Sequence, residues 1–286
     1  MSPSAHGAPL TAHLRLGRIG YINCYPVYGA IDRGIVPAPA GLVTGTPSEL
    51  NDLLAAGELD LSVVSAVEYA RNAAAYHLLP DLAISSDGPV QSVCLFSRRP
   101  AEELDQGTIL LSASSRTSVF LVQLLCQDLW RVRPRFVEAR AEAADLSSLA
   151  GLPHDAVLAI GDSALVLAGR GTYGHRYDLG EVWKRWTGLP FVFAVWAARR
   201  EVDHEAVREA HGALLASRAW GLAHLDQLAA QASQVTGTAI PACLEYLSGL
   251  DYGLGYKELE GLTSFLRRLA ARGMVREGAL AFLSVA

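Results

Sequence analysis

Four stretches of this chain join a strand-like run to polar residues at a turn, the arrangement that leaves side chains and backbone N–H groups free to meet a ligand. In Gly20-Tyr21-Ile22-Asn23-Cys24-Tyr25-Pro26 the sharp turn at Pro26 sets Asn23 at a strand-to-helix corner. An amide there can donate to an oxyanion and accept from a hydroxyl at once, or it can do no more than cap the next helix. In Ser85-Ser86-Asp87-Gly88-Pro89-Val90-Gln91-Ser92 a Gly-Pro turn delivers Ser92 to the start of a strand. Its hydroxyl there faces a pocket or bonds a neighbouring carbonyl.

The third stretch, Ser112-Ala113-Ser114-Ser115-Arg116-Thr117-Ser118, leads directly into an apolar helix expected at 119–130. Its hydroxyls exceed what one helix cap requires. With the unpaired N–H groups of a helix N-terminus they suit a carboxylate or phosphate, the dipole contributing from a fraction of a kcal/mol to about 2 kcal/mol. The fourth, Gly161-Asp162-Ser163-Ala164, opens another helix, with Asp162 either its N-cap or a pocket group. Glu68, in Ser65-Ala66-Val67-Glu68-Tyr69, is favoured in a first helical turn with no function at all.

Other chemistries lack their signatures. There is no Walker loop, G-x-G-x-x-G, G-x-S-x-G or H-E-x-x-H, so no metal, cofactor or nucleotide is expected. The eight histidines do not cluster, and His204, His211 and His224 are expected on the surface of a helical tail. Cys24, Cys94, Cys126 and Cys243 form no Cys-x-x-Cys pair and read as reduced and structural. Trp183, Trp186, Phe191, Phe193 and Trp196 read as core.

The elements that must hold these corners alternate. Strands are expected at 14–22, 42–45, 61–65, 91–97, 108–112, 157–160 and 191–197, which favours mainly parallel sheets. Thr46-Pro47-Ser48-Glu49 carries the N-cap, first-turn proline and capping-box glutamate of a helix that Gly57 stops. From Asp203 onward the chain reads as helical almost throughout, a tail expected to pack back on the first of two lobes. Residues 57–66 resemble 151–164, each a turn, an Asp, an apolar strand and a small polar corner, as if each lobe presented one such strand end. The lobes are expected at 14–99 with 197–286, and at 100–196 as an insertion, with hinges at 97–100 and 195–199 and a flexible tail at 1–13.

Composition sets the class. With 286 residues, 51% hydrophobic and 19% charged, the chain can bury a full core. A net charge of −5, and no basic cluster beyond Arg131-Val132-Arg133-Pro134-Arg135, excludes a nucleic-acid surface. No apolar run approaches the roughly 20 residues of a membrane span, and residues 1–13 lack a secretory pattern, so no membrane association and a cytoplasmic location are expected.

In order and spacing, the Tyr21–Pro26 corner, Gly88-Pro89-Val90-Gln91-Ser92-Val93, Ser115-Arg116-Thr117-Ser118 and Trp186-Thr187-Gly188-Leu189-Pro190-Phe191-Val192 resemble the MqnA/MqnD family of menaquinone biosynthesis, over residues 14–265. The resemblance implies an α/β, two-lobed, periplasmic-binding-protein-like type II fold with a hinge and an inter-lobe cleft. Of the family's two activities, the Tyr-x-Asn-x-x-Pro corner implies loss of water from chorismate, a dicarboxylate, to give 3-(1-carboxyvinyloxy)benzoate on the futalosine route. The sister naphthoate synthase is expected to show a Ser-Pro-Cys-Pro-Asn-type opening and a reactive His where Ile160-Gly161-Asp162 stands here.

The resemblance further implies Asn23 and Ser92 as catalytic groups. Substrate contacts are implied for Tyr21, Ser65, Ser115, Arg116, Thr117, Ser118, Gly161 and Asp162, with one carboxylate in the 115–118 corner. Arg116, Lys184 and Arg33 are candidates for charge pairing to it. The motifs hold no His-type base, which leaves a substrate carboxylate as one candidate and Glu68 or Asp162 as others. A small-anion binding protein on the same fold is the alternative from another class.

Overall fold

The computed structural model describes residues 14–39, 41–112, 115–139, 151–276 and 280–284; the tail expected at 1–13 lies outside them. The chain first lays down strands β1 (Arg15–Ile19), β2 (Gly41–Gly45), β3 (Leu61–Ser65) and β4 (Tyr76–Ser86), linked by helices α1 (Tyr25–Asp32), α2 (Pro47–Ala55) and α3 (Ala66–Arg71). It crosses to a second sheet with β5 (Val93–Ser97), followed by β6 (Thr108–Ser112), α4 (Arg116–Asp128), β7 (Arg135–Ala139), β8 (Ala156–Ile160), α5 (Gly161–Arg170), β9 (His175–Asp178) and α6 (Leu179–Thr187). It returns in β10 (Phe191–Arg199) and finishes in helices α7 (His204–Ala223), α8 (Leu225–Thr236), α9 (Ile240–Ser248) and α10 (Tyr256–Ala270).

The two sheets share one plan. Their orders are β2-β1-β3-β10-β4 and β7-β6-β8-β5-β9. In each, a strand arriving from the other sheet inserts in fourth place and runs antiparallel to both neighbours, while the first three run parallel. The sheets are therefore mixed rather than mainly parallel. β3 and β8, the strands of the two similar segments in the sequence, occupy equivalent third positions and are buried along their whole length.

The arriving strands also move the expected lobe boundaries. β5 pairs Val93 with Ile160 and Ser97 with Ala156, and β10 pairs Ala194 with Ser65. The chain thus changes sheets within 87–92 and again within 188–190, not at 97–100 and 195–199. A strand signal reports extended, buried backbone; the partner that accepts its hydrogen bonds is decided by the rest of the chain. β4, β7 and β9 gave no sequence signal. β4 is interrupted by Pro80 and by Asp81 at φ +57°, and its pairing with β10 shifts register nearby.

Helices of the tail pack against elements of the first sheet. α7 lies against α1 so closely that a Cβ on Gly221 would sit 2.1 Å from the Pro26 carbonyl oxygen. Trp183, Phe191 and Phe265 stack edge to face, with Phe191 and Phe265 centroids 4.8 Å apart, which ties α6 and α10 to the root of β10. His211, expected on the surface, is buried at 6% exposure and bonds the Pro80 carbonyl at 2.8 Å; burial holds its pKa below the ordinary value. No helix among the described residues is long and apolar enough to cross a membrane.

Candidate functional site

The ends of β1, β3 and β8 and the start of α4 meet around one cavity of about 60 Å³ between the sheets. Its polar lining is Tyr21, Asn23, Ser65, Ser92, Ser115, Ser118 and Gly161; its apolar walls are Ile19, Pro47, Ile84, Val90, Val93, Ile160, Phe193 and Ala194. Seven of the ten residues singled out from the sequence therefore converge.

Asn23 lies in a single 3-10 turn, Ile22–Cys24, that β1 runs into before α1. Its Oδ1 is buried and has no hydrogen-bond partner among the described residues. A buried polar atom normally finds one, so an acceptor left open on a cavity can take a hydrogen bond from whatever occupies it. Ser92 is 2% exposed, and its Oγ accepts from Tyr246 Oη at 2.8 Å. Its carbonyl accepts from Gly161 N at 2.7 Å. Gly161 has φ +56°, and a Cβ there would lie 2.8 Å from the Tyr21 ring, so glycine is required both for the turn into α5 and for the approach of the two corners.

Ser65 caps α3, accepting from Glu68 N at 3.2 Å, and Asn51 reaches it from behind: Asn51 Oδ1 takes Ser65 N at 3.2 Å and Nδ2 donates to Oγ at 3.4 Å. Ser115 caps α4, accepting from Ser118 N at 3.3 Å and donating to Ser118 Oγ at 3.0 Å. The N-termini of α2, α4 and α5 reach the cavity at Pro47, Ser115 and Gly161. No charged side chain lines it among the described residues. The site can hold an anion by hydroxyls, amides and helix ends rather than by a counter-ion.

The other three expected residues fasten one sheet's unit to the other. Arg116 does not line the cavity; its guanidinium pairs with Glu68 and Asp52 across the lobe boundary. Thr117 turns its hydroxyl to accept from Val67 N at 3.1 Å, and Asp162 Oδ1 accepts from Ile22 N at 3.3 Å. The reason is helical geometry: Ser115 and Ser118, three apart, share a face, and positions 116 and 117 leave the helix on other sides. Glu68 is 1% exposed, with Arg116 on one oxygen and Asn72 on the other at 2.6 Å, so it offers the cavity no free base. Lys184 pairs with Asp87 and bonds the Gly188 carbonyl at 2.9 Å, joining the two crossing segments; Arg33 bonds Gln231 at 2.6 Å on the helical tail.

Sequence reasoning missed Tyr246, Asn51 and Asp178. Asp178 accepts from Val90 N at 3.0 Å and Gln91 N at 2.6 Å, fixing the crossing segment that carries Ser92, with Gln91 held at φ +60°. No local signal links these residues to the corners they support. Burial pushes the thiols of Cys24, Cys94 and Cys126 up to about 12, which leaves them protonated packing groups.

A sequence family described as menaquinone biosynthesis matches residues 14–271. A chorismate dehydratase of Thermus thermophilus is 33% identical over 238 residues, covering 78% of this chain and 84% of that protein. A 1,4-dihydroxy-6-naphtoate synthase of the same organism is 26% identical over 277 residues, covering 91% and 95%. The alkanesulfonate-binding protein SsuA of Xanthomonas axonopodis pv. citri, bound to MOPS, superposes with a TM-score of 0.67 at 14% identity, covering 96% of this chain and 98% of that one. The fold is periplasmic-binding-protein-like, and the chain belongs to the menaquinone biosynthesis family.

Proposed function

We propose that this protein is a cytoplasmic chorismate dehydratase, a lyase that eliminates water from chorismate to give 3-(1-carboxyvinyloxy)benzoate on the futalosine route to menaquinone. The observation that carries this reading is the unpartnered, buried Asn23 Oδ1 among cavity hydroxyls, in a chain 33% identical to a chorismate dehydratase. In the reaction the ring C–H beside the enolpyruvyl ether gives up its proton, and its electron pair becomes a ring double bond. The neighbouring hydroxyl leaves and, with a proton, becomes water. Aromatisation makes the step downhill, so the protein's task is to orient groups and stabilise charge.

Each part of the site has a role in that chemistry. Asn23 and Ser92 polarise the reacting groups, and the Ser115/Ser118 corner holds a carboxylate at the N-terminus of α4. Tyr21, Ser65 and Gly161 complete the grip. With no charged side chain lining the cavity among the described residues, a substrate carboxylate held against the ring is the base. The present cavity has room for a few waters, so a ring with two carboxylates is admitted only as the lobes part. The sister synthase reading is weakened by Ile160-Gly161-Asp162 at the end of β8, where a reactive His was expected.

Incubating the purified protein with chorismate tests this. Loss of chorismate and appearance of an aromatic product lighter by one water, followed by chromatography and mass, is expected. Formation of a dihydroxynaphthoate from the cyclic futalosine substrate offered in parallel would transfer the assignment to the sister activity. Saturable chorismate binding with no product would leave a binding protein.

A further inference from the structure

We infer that Tyr246 is a positioning residue: from the C-terminal helices it fixes the Ser92 hydroxyl as a hydrogen-bond donor aimed into the cavity. Tyr246 lies on α9, is 2% exposed, and reaches Ser92 Oγ at 2.8 Å across 154 residues of sequence. A pair of hydroxyls can bond in either direction, and burial decides which. Were Ser92 the donor, the phenolic hydrogen would be left buried with no acceptor among the described residues, at a cost comparable to a lost buried hydrogen bond. With Tyr246 donating, the unspent hydrogen belongs to Ser92, which lines the cavity and can give it to a ligand.

The same device recurs at Ser65. Asn51 has its amide sense set by Ser65 N, which it accepts at 3.2 Å, so its Nδ2 faces Ser65 Oγ. Glu68 N donates to that oxygen as well. Both lone pairs are engaged, and the Ser65 proton is again the group left for the cavity. Two hydroxyls from different parts of the chain are thus committed as donors before any ligand arrives, while Asn23 Oδ1 is the buried acceptor left open beside them. Such a lining matches a ligand rich in acceptors, carboxylates and an ether oxygen, that carries a single hydroxyl to give. The kinetic consequence rests on the chorismate reading: a Ser92 proton already aimed at the oxygen that gains charge needs no reorganisation in the transition state.

A mutant cycle over Tyr246→Phe and Ser92→Ala tests this. Tyr246→Phe deletes the donor and keeps the ring. It is expected to lower kcat for chorismate about tenfold with KM changed by less than about twofold, and to have no further effect on kcat when added to Ser92→Ala. A purely structural role would give the same fold loss in both backgrounds. Calorimetric binding of isophthalate, a non-reacting aromatic dicarboxylate, is read in the same four proteins; Tyr246→Phe should weaken it only where Ser92 is present. Coupling in isophthalate binding with no chorismate turnover by the unmutated protein would sink the dehydratase assignment and leave the positioning role standing. Additivity in both readouts overturns the positioning role, as does a protein that neither turns over chorismate nor binds isophthalate.

Discussion

Asn23→Ala is expected to lower kcat for chorismate dehydration by about 10²–10³-fold, the usual loss when one preorganised polar group is removed from the reacting centre, with KM changed only a few-fold. The expectation follows from where the side chain stands. The 3-10 turn after β1 leaves Asn23 Oδ1 buried on the cavity with no protein partner among the described residues, so its bond is open to whatever fills the cavity. A ligand that enters replaces cavity water and can donate to the atom in its place. If the amide's bonds to the ligand were equally strong in the bound substrate and the transition state, Ala would raise KM and spare kcat. The Nδ2 of the same amide is the atom able to donate to an oxygen that gains charge. With Asn23 set against the departing hydroxyl, as proposed, that donation is strongest in the transition state and its loss lowers kcat. Steady-state kinetics separate the outcomes, and equal losses in kcat and in chorismate affinity would count against a chemical role for Asn23.

Arg116→Met is expected to raise KM for chorismate at least tenfold while leaving kcat at saturation within a few-fold, and Glu68→Gln is expected to restore most of the loss. Arg116 projects from α4 on one side of the cleft to Glu68 and Asp52 on the other. Asp52 is exposed and contributes little. Glu68 is 1% exposed, and removing the partner of a buried charge typically costs about 3–5 kcal/mol. Arg116 is itself 29% exposed, which places the cost at the lower end of that range. Parting the lobes rehydrates Glu68, so the cost is met by opening the cleft rather than by unfolding, and it shows as weakened substrate capture. Neutralising Glu68 removes the buried charge and the reason to open. Were Arg116 instead to bind a substrate carboxylate, as its place in the hydroxyl-rich corner suggests from sequence, Glu68→Gln would rescue nothing.

The difference between those two residues shows what a sequence reveals of such a site. Asn23, Ser65, Ser92, Ser115 and Gly161 were legible because each follows or precedes a strand signal, and strand ends in open α/β folds face the ligand. Ser115 and Ser118 were legible with Arg116 and Thr117 as a group, but the group divides by helical phase: 115 and 118 reach the cavity, while 116 and 117 reach the opposing unit. Both Glu68 and Asp162 stood out as acidic groups near corners, yet each is occupied by groups from elsewhere in the chain. The lobes themselves were visible as strand-and-helix alternation followed by a helical tail. Their boundaries were not, because β5 and β10 announce themselves as strands without naming their sheets. Tyr246 carries no local mark at all, since its partner lies 154 residues earlier.

A crystal structure with 3-(1-carboxyvinyloxy)benzoate bound tests the two-corner grip most directly. The grip predicts the aromatic ring between Asn23 and Ser92, with one carboxylate accepting from the Ser115–Ser118 corner and no Lys or Arg in contact with it. Product seated outside this cavity, or Asn23 Oδ1 still facing no ligand atom once the cavity is filled, would contradict it.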